Sequence, residues 1–528
     1  MAVRFLLLNL FFAFLLGALG IKLYDLQVQK GDFYFEKAEA RSQFQAQLEL
    51  RRGQITLNNR SSKVALALNK DYPVIFASPK QIEDAKETAS AISPIVGIAV
   101  ADLEKSFQNP QSLFKLLVDR ADGKQIKELE GLNIKGVYVD QKQYRFYQFQ
   151  RLASQFMGFV GINEKYDEPI GLYGVEKFYN EELSKGKTIN TTLDINLQSQ
   201  AELSLTKLMR QFNSIGGTII IQEPRTGKIL ALANAPDFDP NVYGKYPIKN
   251  FINPAVQSMY EPGSVFKPFT MAAGIDAGIF TPDTKYFDKG SVTLNGKKIT
   301  NWDHKSYGWA TMTNVLERSI NTGSVWAQQQ LGNKKFYEYL KKLGFGDLTN
   351  IDLPDEAKGT IKNLERKDQR AIDFANAAFG QGTGVTPIQL ITAFSSLANG
   401  GLLMRPYINE NLEPQVIRQV FKSETASSVI GMLESAVEKG GVAGIPQYHI
   451  AGKTGTAQIP DFKNGGYADE YIHTYVGFAP ASNAKFIILI KLDKPASELA
   501  ALTVVPAFKE LAQYVLNYYN IPPDKPIN

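Results

Sequence analysis

Two pairs of short apolar runs, far apart in the chain, constrain its fold more than any other sequence feature. Residues 218–222 and 228–233 flank the turn residues 223–227, Glu-Pro-Arg-Thr-Gly. Residues 475–478 and 486–490 form a second such pair near the C-terminus. A short polar turn between two apolar runs is typical of a β-hairpin. Because the long stretch between the two pairs is rich in helical patterns, the sequence predicts an α+β fold with one antiparallel sheet flanked by helices.

The length of the chain predicts more than one domain. At 528 residues it exceeds what one hydrophobic core usually serves, and its 44% hydrophobic and 21% charged residues are a globular composition. Residues 196–212 and 505–519 have the apolar spacing of amphipathic helices. We divide the chain into residues 1–22, a short cytoplasmic end with a membrane anchor, residues 23–190, a mixed N-terminal domain, and residues 191–528, the domain with the sheet.

The N-terminal anchor is predicted from an apolar run. Residues 5–21 contain Asn9 as their one polar member, and at 1.5 Å per residue they span about 25 Å, near the minimum for a bilayer. Arg4 favours a cytoplasmic N-terminus, a bias that Lys22 weakens. We expect a single-pass protein of the cell membrane with its catalytic domain outside the cytoplasm. A cleaved signal peptide is the alternative, because residues 18–20 resemble a cleavage site.

The cysteine and histidine content limits the kinds of catalytic and metal site that the chain can form. The chain has no cysteine, which excludes disulfides and thiolate metal sites. Its three histidines, His304, His449 and His473, lack the spacing of metal ligands, and a Ser-His-Asp triad is not expected. We therefore expect no metal and no cofactor, and a lysine as the base of any nucleophilic catalysis. The net charge of +5 is compatible with an anionic membrane surface and too diffuse to predict nucleic-acid binding.

The pair Ser264 and Lys267 is the first candidate catalytic motif. It follows the turn residues 260–263, Tyr-Glu-Pro-Gly, and opens a predicted helix, where free N–H groups favour developing negative charge. A hydroxyl and an amine one helical turn apart suit a nucleophile and its base. The spacing alone does not identify them, because it recurs. The other pairs are Ser112/Lys115, Ser184/Lys187, Ser204/Lys207 and Ser482/Lys485.

Two further motifs follow in order and distinguish Ser264 from the other serines. Ser319 and Asn321 supply a hydroxyl for proton relay and an amide that can bind the lysine and a substrate carbonyl. Residues 453–456, Lys-Thr-Gly-Thr, read as an edge strand that receives a carboxylate, with a glycine where substrate approaches the backbone. The predicted catalytic residues are Ser264, Lys267, Ser319 and Asn321, and the predicted substrate-binding residues are Lys453, Thr454, Gly455 and Thr456, with no metal ligand.

The ordered motifs resemble the penicillin-binding transpeptidase family, and more closely its monofunctional class B branch. Other segments extend the resemblance over most of residues 50–490. They are residues 224–231 (P-x-T-G-x-I-L-A), 260–267 (Y-E-P-G-S-x-x-K), 379–387 (G-Q-G and V-T-P), and, in the pedestal domain, 51–55 (R-G-x-I) and 171–176 (G-x-x-G-x-E). Two departures are residues 253–255, Asn-Pro-Ala in place of N-R-A, and residues 57–60, which replace an acidic D-R.

The resemblance implies a fold and a function. The fold is a penicillin-binding transpeptidase or serine β-lactamase-like domain behind a pedestal, dimerisation-like domain. The function is a peptidoglycan D,D-transpeptidase that forms an acyl-enzyme on Ser264 from stem peptides ending in D-Ala-D-Ala, cross-links them during cell-wall synthesis, and binds penicillin and other β-lactams covalently. In that scheme Lys267 accepts a proton, Ser319 relays it, and the backbone N–H groups of Ser264 and Thr456 bind the oxyanion. The implied partners are the peptidoglycan stem peptides, on lipid-linked or nascent glycan, the membrane and a separate glycan polymerase.

Other functions stay open at this point. A D,D-carboxypeptidase or a β-lactamase on the same fold would resolve the acyl-enzyme with water. A non-catalytic β-lactam-binding sensor would share the domain without cross-linking. A role in cell division or in elongation and cell shape is also undecided, although residues 319–323 and 475–480 look slightly more like division-type members.

Overall fold

The computed structural model describes residues 2–35, 37–38, 52–109, 111–163, 168–441, 443–461 and 463–526. The chain forms two compact units. The smaller consists of Met1–Arg52 and Leu68–Phe146, and the larger of Gly53–Ala67 and Tyr147–Asn528. The domain boundaries at residues 22 and 190 stay predictions.

The smaller unit begins with the helix Ala2–Tyr24, which continues as the π-helical turn Asp25–Gln29. Its apolar side chains are exposed, and the segment Arg4–Gln29 contains an 18-residue window with a mean hydropathy of 2.1. Among the described residues it is the one helix long and apolar enough to cross a membrane. It contains the run predicted as the anchor, and it fits a single-pass membrane anchor.

The rest of the smaller unit is a strand-and-helix layer. The second half of the strand Ser62–Ala77 pairs antiparallel with Lys115–Val118 and also pairs with Val137–Tyr147. Side chains from the strand and the helices form the core, among them Ile75, Ile92 and Leu103. The helices are Ala85–Val96, Val100–Ser106 and Gly123–Leu132, with a 3₁₀ turn at Pro79–Gln81.

The larger unit is built on a five-stranded antiparallel sheet. From one edge to the other its strands are Ala451–Pro460, Tyr467–Ala479, Phe486–Asp493, Gly216–Gln222 and Ile229–Ala235. Both predicted hairpins are therefore confirmed. They join at the centre, because Phe486–Asp493 pairs with Gly216–Gln222. The predicted carboxylate receptor, residues 453–456, lies on an edge strand as expected.

Alternate side chains of the central strands face two helical layers. Ile219 and Ile488 pack with the helices Ile195–Gln211 and Val504–Tyr518, both of which the sequence predicted within a residue. On the other face, Ile220 and its neighbours pack with a larger set of helices. Successive side chains of a strand point to opposite faces of the sheet, and here both faces are buried by helices. The domain therefore has three layers, helices, sheet and helices, in agreement with the predicted α+β class.

The remaining elements of the larger unit complete the chain order. Ile55–Asn59 pairs antiparallel with the start of Ser62–Ala77 and parallel with Ile189–Asp194. The other strands are Val160–Asn163, Glu168–Gly171, Lys285–Asp288, Ser291–Leu294, Lys297–Thr300, Gly308–Thr311, Leu402–Met404 and Val416–Gln419. The other helices are Ser154–Met157, Gly174–Phe178, Asn180–Ser184, Pro254–Gln257, Lys267–Asp276, Met312–Glu317, Asn321–Leu331, Asn333–Lys342, Ala371–Ala377, Pro387–Ala398 and Ser423–Gly440. Short 3₁₀ segments are Pro240–Lys245, Ile248–Phe251, Gly263–Phe266, Lys362–Glu365, Ala481–Asn483 and Ala500–Leu502.

Candidate active site

The turn that carries Ser264 is tighter than the sequence predicted. Gly263–Phe266 is a 3₁₀ turn, and the α-helix begins only at its end, as Lys267–Asp276. In a 3₁₀ turn, side chains three residues apart lie above one another, whereas in an α-helix they are offset. The turn therefore brings the side chains of Ser264 and Lys267 to the same side of the chain.

Three glycines allow the backbone to pack closely around this turn. Gly263 has a φ of +61°, and its N–H donates to the Gly380 carbonyl at 3.1 Å. A Cβ on Gly380 would lie 2.2 Å from the Gly263 carbonyl oxygen, and one on Gly455 would lie 2.7 Å from the Pro262 carbonyl oxygen. The close approach that the sequence assigned to substrate at Gly455 is thus made by the protein's own backbone. The turn is held between residue 380 and the edge strand.

The Val-Thr-Pro segment fixes the start of the same turn. Tyr260 and Val385 exchange two backbone hydrogen bonds, at 3.0 and 2.9 Å. Thr386 is the N-cap of the helix Pro387–Ala398, and its side chain accepts from the backbone N–H of Gln389. A capping threonine followed by a proline at the first helical position is a strong helix start. The segment therefore anchors the turn that carries Ser264 to a buried helix.

Ser319 lies in a helix-terminating loop that controls its side chain. The helix Met312–Glu317 ends with Ser319 at a φ of +53°, and the N–H of Ile320 donates to the Val315 carbonyl at 2.9 Å. This is the Schellman pattern, in which glycine is usual at the left-handed position. A serine there carries backbone strain of about 1 kcal/mol or more, and such strain concentrates at functional sites. The next helix, Asn321–Leu331, begins two residues later.

Lys267 is fully buried and is held by this loop. Its Nζ donates to the Ser319 carbonyl at 2.5 Å and to Asn321 Oδ1 at 2.8 Å, and it lies 3.1 Å from Ser319 Oγ. Asn321 Nδ2 donates to the Thr300 carbonyl at 2.9 Å, which turns its oxygen toward the lysine. Burial, and then the charge of Lys453, hold the Lys267 pKa well below its usual value of 10.5.

The amine of Lys453 approaches the same hydroxyl. Its Nζ donates to Ser319 Oγ at 3.1 Å, and it contacts the carbonyl and Oγ1 of Thr454 at 3.1 and 3.3 Å. The side chain is 4% exposed, and burial lowers its pKa to about 7. The Ser319 hydroxyl is therefore bonded by two buried amines, and burial lowers the pKa of both.

The structure brings the predicted residues into one site. Lys267, Ser319, Asn321, Lys453 and Thr454 form a continuous hydrogen-bonded cluster. Ser264 is half-buried one turn before Lys267, and Gly455 and Thr456 continue the edge strand. The Thr456 side chain is half-buried, and its Oγ1 accepts from the Ala500 backbone N–H at 3.3 Å.

Sequence reasoning missed several residues around this cluster. Gly380 was recognised only as part of a family-like segment, without a role. The fully buried carboxylate of Asp288 and its partners Asn301 and Thr322 were not found at all. They are far apart in sequence and match no short motif, so only the folded chain brings them together.

The two departures from the family pattern leave the cluster intact. Asn253 is the N-cap of the helix Pro254–Gln257, where a proline at the first position suits a helix start. Its Oδ1 accepts from the Ala255 backbone N–H at 3.2 Å and from Asn234 Nδ2 at 3.0 Å. In the other departure, Asn58 Nδ2 donates to the Thr191 carbonyl at 3.0 Å, and it serves strand pairing.

Comparison with known proteins agrees with this geometry. Residues 217–513 match the penicillin-binding protein transpeptidase domain, and residues 48–202 match the penicillin-binding protein dimerisation domain. The stage V sporulation protein D of Bacillus subtilis is 31% identical over 85% of this chain and 75% of its own length. The probable peptidoglycan D,D-transpeptidase PenA of Neisseria gonorrhoeae is 27% identical over 89% of this chain and 85% of its own. The crystal structure of penicillin-binding protein 3 from Mycobacterium tuberculosis, complexed with aztreonam, covers 73% of this chain and 92% of its own, with 29% identity and a TM-score of 0.67.

The chain therefore belongs to the penicillin-binding protein transpeptidase family, in the class B arrangement of a dimerisation domain followed by a transpeptidase domain. The resemblance predicted from the motifs is confirmed, and so is the fold class.

Proposed function

We propose that Ser264 is the acylated nucleophile of this protein and that Lys267 is its base. The chain is a serine-type peptidoglycan D,D-transpeptidase, as the family and its named relatives indicate. The observation that carries the residue assignment is the fully buried Lys267 amine, which bonds to Ser319 and Asn321 one 3₁₀ turn after Ser264. Burial lowers the pKa of this amine and so favours its neutral form, and a neutral amine near a serine hydroxyl can act as a general base.

The hydrogen bonds around Lys267 suit a neutral amine. A neutral Nζ has two hydrogens and one lone pair, and two of its neighbours, the Ser319 carbonyl and Asn321 Oδ1, can only accept. The lone pair is then free for a hydroxyl proton, from Ser264 during attack or from Ser319 at rest. Lys453 donates to the same Ser319 oxygen. The hydroxyl proton of Ser319 therefore points away from Lys453 and toward Lys267.

Acylation follows from this arrangement. Ser264 Oγ attacks the carbonyl carbon of the penultimate D-Ala, and its proton passes to Lys267 Nζ. The C–N bond to the terminal D-Ala then breaks, and Ser319 passes a proton to the leaving amine, taking the one held by Lys267 in return. The product is an ester on Ser264. The amine of a second stem peptide attacks that ester, forms the cross-link and returns a proton to Ser264 through Lys267.

The edge strand supplies the substrate contacts. We assign the terminal carboxylate, and that of a β-lactam, to Lys453, Thr454 and Thr456, of which both threonines are half-buried and therefore reachable. The backbone N–H groups of Ser264 and Thr456 are assigned to the oxyanion. Gly455 brings that strand against the Ser264 turn, since a Cβ would collide with the Pro262 carbonyl. Removing one oxyanion donor typically costs about 3–4 kcal/mol.

The pKa of Lys453 leads to a pH prediction for ligand binding. Because its pKa is lowered to about 7, Lys453 is charged below pH 7 in the free protein and loses its charge above it. The dissociation constant of the Ser264→Ala variant for penicillin should therefore rise above pH 7, by up to about tenfold per pH unit. Calorimetric titration between pH 6 and 9 measures this. A penicillin methyl ester is the control, and equal pH dependence of acid and ester would contradict the assignment.

Membrane attachment and a polymerase partner are also part of the proposal. The helix Ala2–Tyr24 would anchor the protein, with the larger unit outside the cytoplasm, where peptidoglycan is assembled. A separate polymerase would supply the glycan, because residues 48–202 match a dimerisation domain and residues 217–513 a transpeptidase domain.

Two measurements on the full-length protein test the function. Mass spectrometry after penicillin treatment should place the adduct on the peptide that contains Ser264. A lipid-linked glycan substrate, incubated with a separate polymerase, should yield cross-linked stem dimers that penicillin abolishes. An adduct on another serine would overturn the residue assignment, whereas free D-Ala without dimers would favour the D,D-carboxypeptidase.

A further inference from the structure

A buried carboxylate lies behind the Ser319–Asn321 loop. Asp288 is fully buried, and its two oxygens accept four hydrogen bonds. Oδ1 accepts from the Gly290 N–H at 2.9 Å and the Thr322 hydroxyl at 2.6 Å, and Oδ2 accepts from Asn301 Nδ2 at 2.9 Å and the Tyr307 N–H at 2.8 Å. A buried carboxylate is tolerated only when it is well hydrogen-bonded, so these four donors are strongly held in place.

Two of those donors, Thr322 and Asn301, are next in sequence to Asn321 itself and to the residue that binds its side-chain amide. Thr322 follows Asn321 directly in the chain, and Asn301 follows Thr300, whose carbonyl accepts from Asn321 Nδ2. Asn301 Oδ1 also accepts from the Thr322 N–H, at 3.2 Å, so the two partners of Asp288 are bonded to each other. The backbone of Asn321 and the acceptor of its amide group are thus both tied to one carboxylate.

We propose that Asp288, acting through Thr322 and Asn301, is a positioning residue that sets the orientation of the Asn321 amide toward Lys267. Asn321 can present either oxygen or NH₂ to the lysine. The Thr300 carbonyl takes the NH₂, which leaves Oδ1 at 2.8 Å from Lys267 Nζ. If the loop around Thr300 moved, the Asn321 amide would no longer be held with its oxygen toward Lys267. Lys267 Nζ would then lose Asn321 Oδ1 as a hydrogen-bond acceptor. This inference rests on the proposed function of Lys267 as base.

The substitution Thr322→Val tests the proposal with little change of shape. It removes the hydroxyl that donates to Asp288 and keeps the backbone N–H that donates to Asn301. We expect the maximal rate of acylation by a fluorescent penicillin to fall about tenfold, with its dissociation constant nearly unchanged. Thr322→Ser keeps the hydroxyl and should stay within about twofold of the wild type.

The pH dependence of the acylation rate distinguishes a loss of Asn321 orientation from a general loss of order in the active site. Lys453 is the charged group that faces Lys267, and the acceptors on Lys267 are Ser319 and Asn321. An ammonium that loses the Asn321 acceptor is less stable, so the pKa of Lys267 should fall further. The acylation rate falls at low pH as Lys267 is protonated, and we call this part of the pH profile the acid limb. In Thr322→Val the acid limb should move to lower pH, and in Thr322→Ser it should lie at the wild-type pH.

The matched control is a second buried threonine that donates to a carboxylate. Thr425 is 4% exposed, and its Oγ1 donates to Asp276 Oδ1 at 2.9 Å. Thr425→Val should leave both the acylation rate and the acid limb unchanged. Asp288→Asn replaces one of the two accepting oxygens with an NH₂ group that faces a backbone N–H, and it should lower the rate about a hundredfold. If Asp288→Asn does not fold, Thr322→Val decides.

The proposal is overturned if Thr322→Val acylates like the wild type with the same acid limb, or if Thr322→Ser fails to restore the rate. Failure of the proposed function gives a different result, namely labelling that does not depend on Ser264 or Lys267 in an otherwise wild-type chain.

Discussion

Ser264→Ala is expected to abolish covalent labelling of the protein by a fluorescent penicillin. In the proposed mechanism the acyl-enzyme is an ester of the Ser264 hydroxyl, and an alanine has no atom with which to form it. Loss of a catalytic serine typically lowers turnover by about 10⁶-fold, so no residual label should be visible on a gel. Because Ser264 is half-buried and its hydroxyl fills no core position, the melting temperature should change little.

Matched controls come from the other Ser-x-x-Lys pairs of the chain. Ser482 is exposed in the 3₁₀ segment Ala481–Asn483, and Ser204 is buried in the helix Ile195–Gln211. Alanine at either position should leave the labelling rate unchanged. Persistent labelling of Ser264→Ala, or loss of labelling in Ser482→Ala, would show that Ser264 is not the nucleophile.

Lys267→Ala should lower the acylation rate about a thousandfold while the protein still folds, since general-base catalysis contributes 10²–10⁴. The amine is fully buried, and in the proposed mechanism its Nζ takes the Ser264 proton. Burial of a polar amine is itself unfavourable, so its removal relieves part of that cost. The lost bonds to Ser319 and Asn321 offset that gain, and a shift of only a few degrees in melting temperature is expected.

Lys267→Arg distinguishes a base from a charge at this position. A guanidinium stays protonated at every accessible pH, so it should not restore acylation and should remove the acid limb of the pH profile. Lys207→Ala is the matched control, because Lys207 is exposed and pairs with Glu510 at 2.9 Å. Stopped-flow measurement of penicillin acylation gives the rates. Activity of Lys267→Arg equal to the wild type would rule out Lys267 as the base.

The parts of the fold that the sequence predicted well are those with local signals. The hairpin Gly216–Gln222/Ile229–Ala235 has a polar turn between two aliphatic runs, and the helix Ile195–Gln211 has apolar side chains at helical spacing. The site motifs are also local, because Ser264 and Lys267 lie three residues apart. Their order along the chain distinguished them from the other pairs.

What the sequence could not predict depends on distant contacts. The pair Ser204 and Lys207 has the same spacing as Ser264 and Lys267, yet it lies on an α-helix where the serine is buried and the lysine points to solvent. Asp288 reaches the site only through partners 13 and 34 residues later in sequence, Asn301 and Thr322. The 3₁₀ turn at Ser264 results from packing against Gly380 and Gly455, which lie more than a hundred residues away in sequence.

The two buried amines around Ser319 also bear on substrate discrimination. A carboxylate bound as proposed would stabilise the charge on Lys453, and that charge lowers the pKa of Lys267. In the proposed mechanism, a ligand with a C-terminal carboxylate therefore prepares the base that activates Ser264, whereas an amide or ester of the same peptide does not. Selection of chain ends over peptide interiors would then occur in the rate of the chemical step as well as in binding.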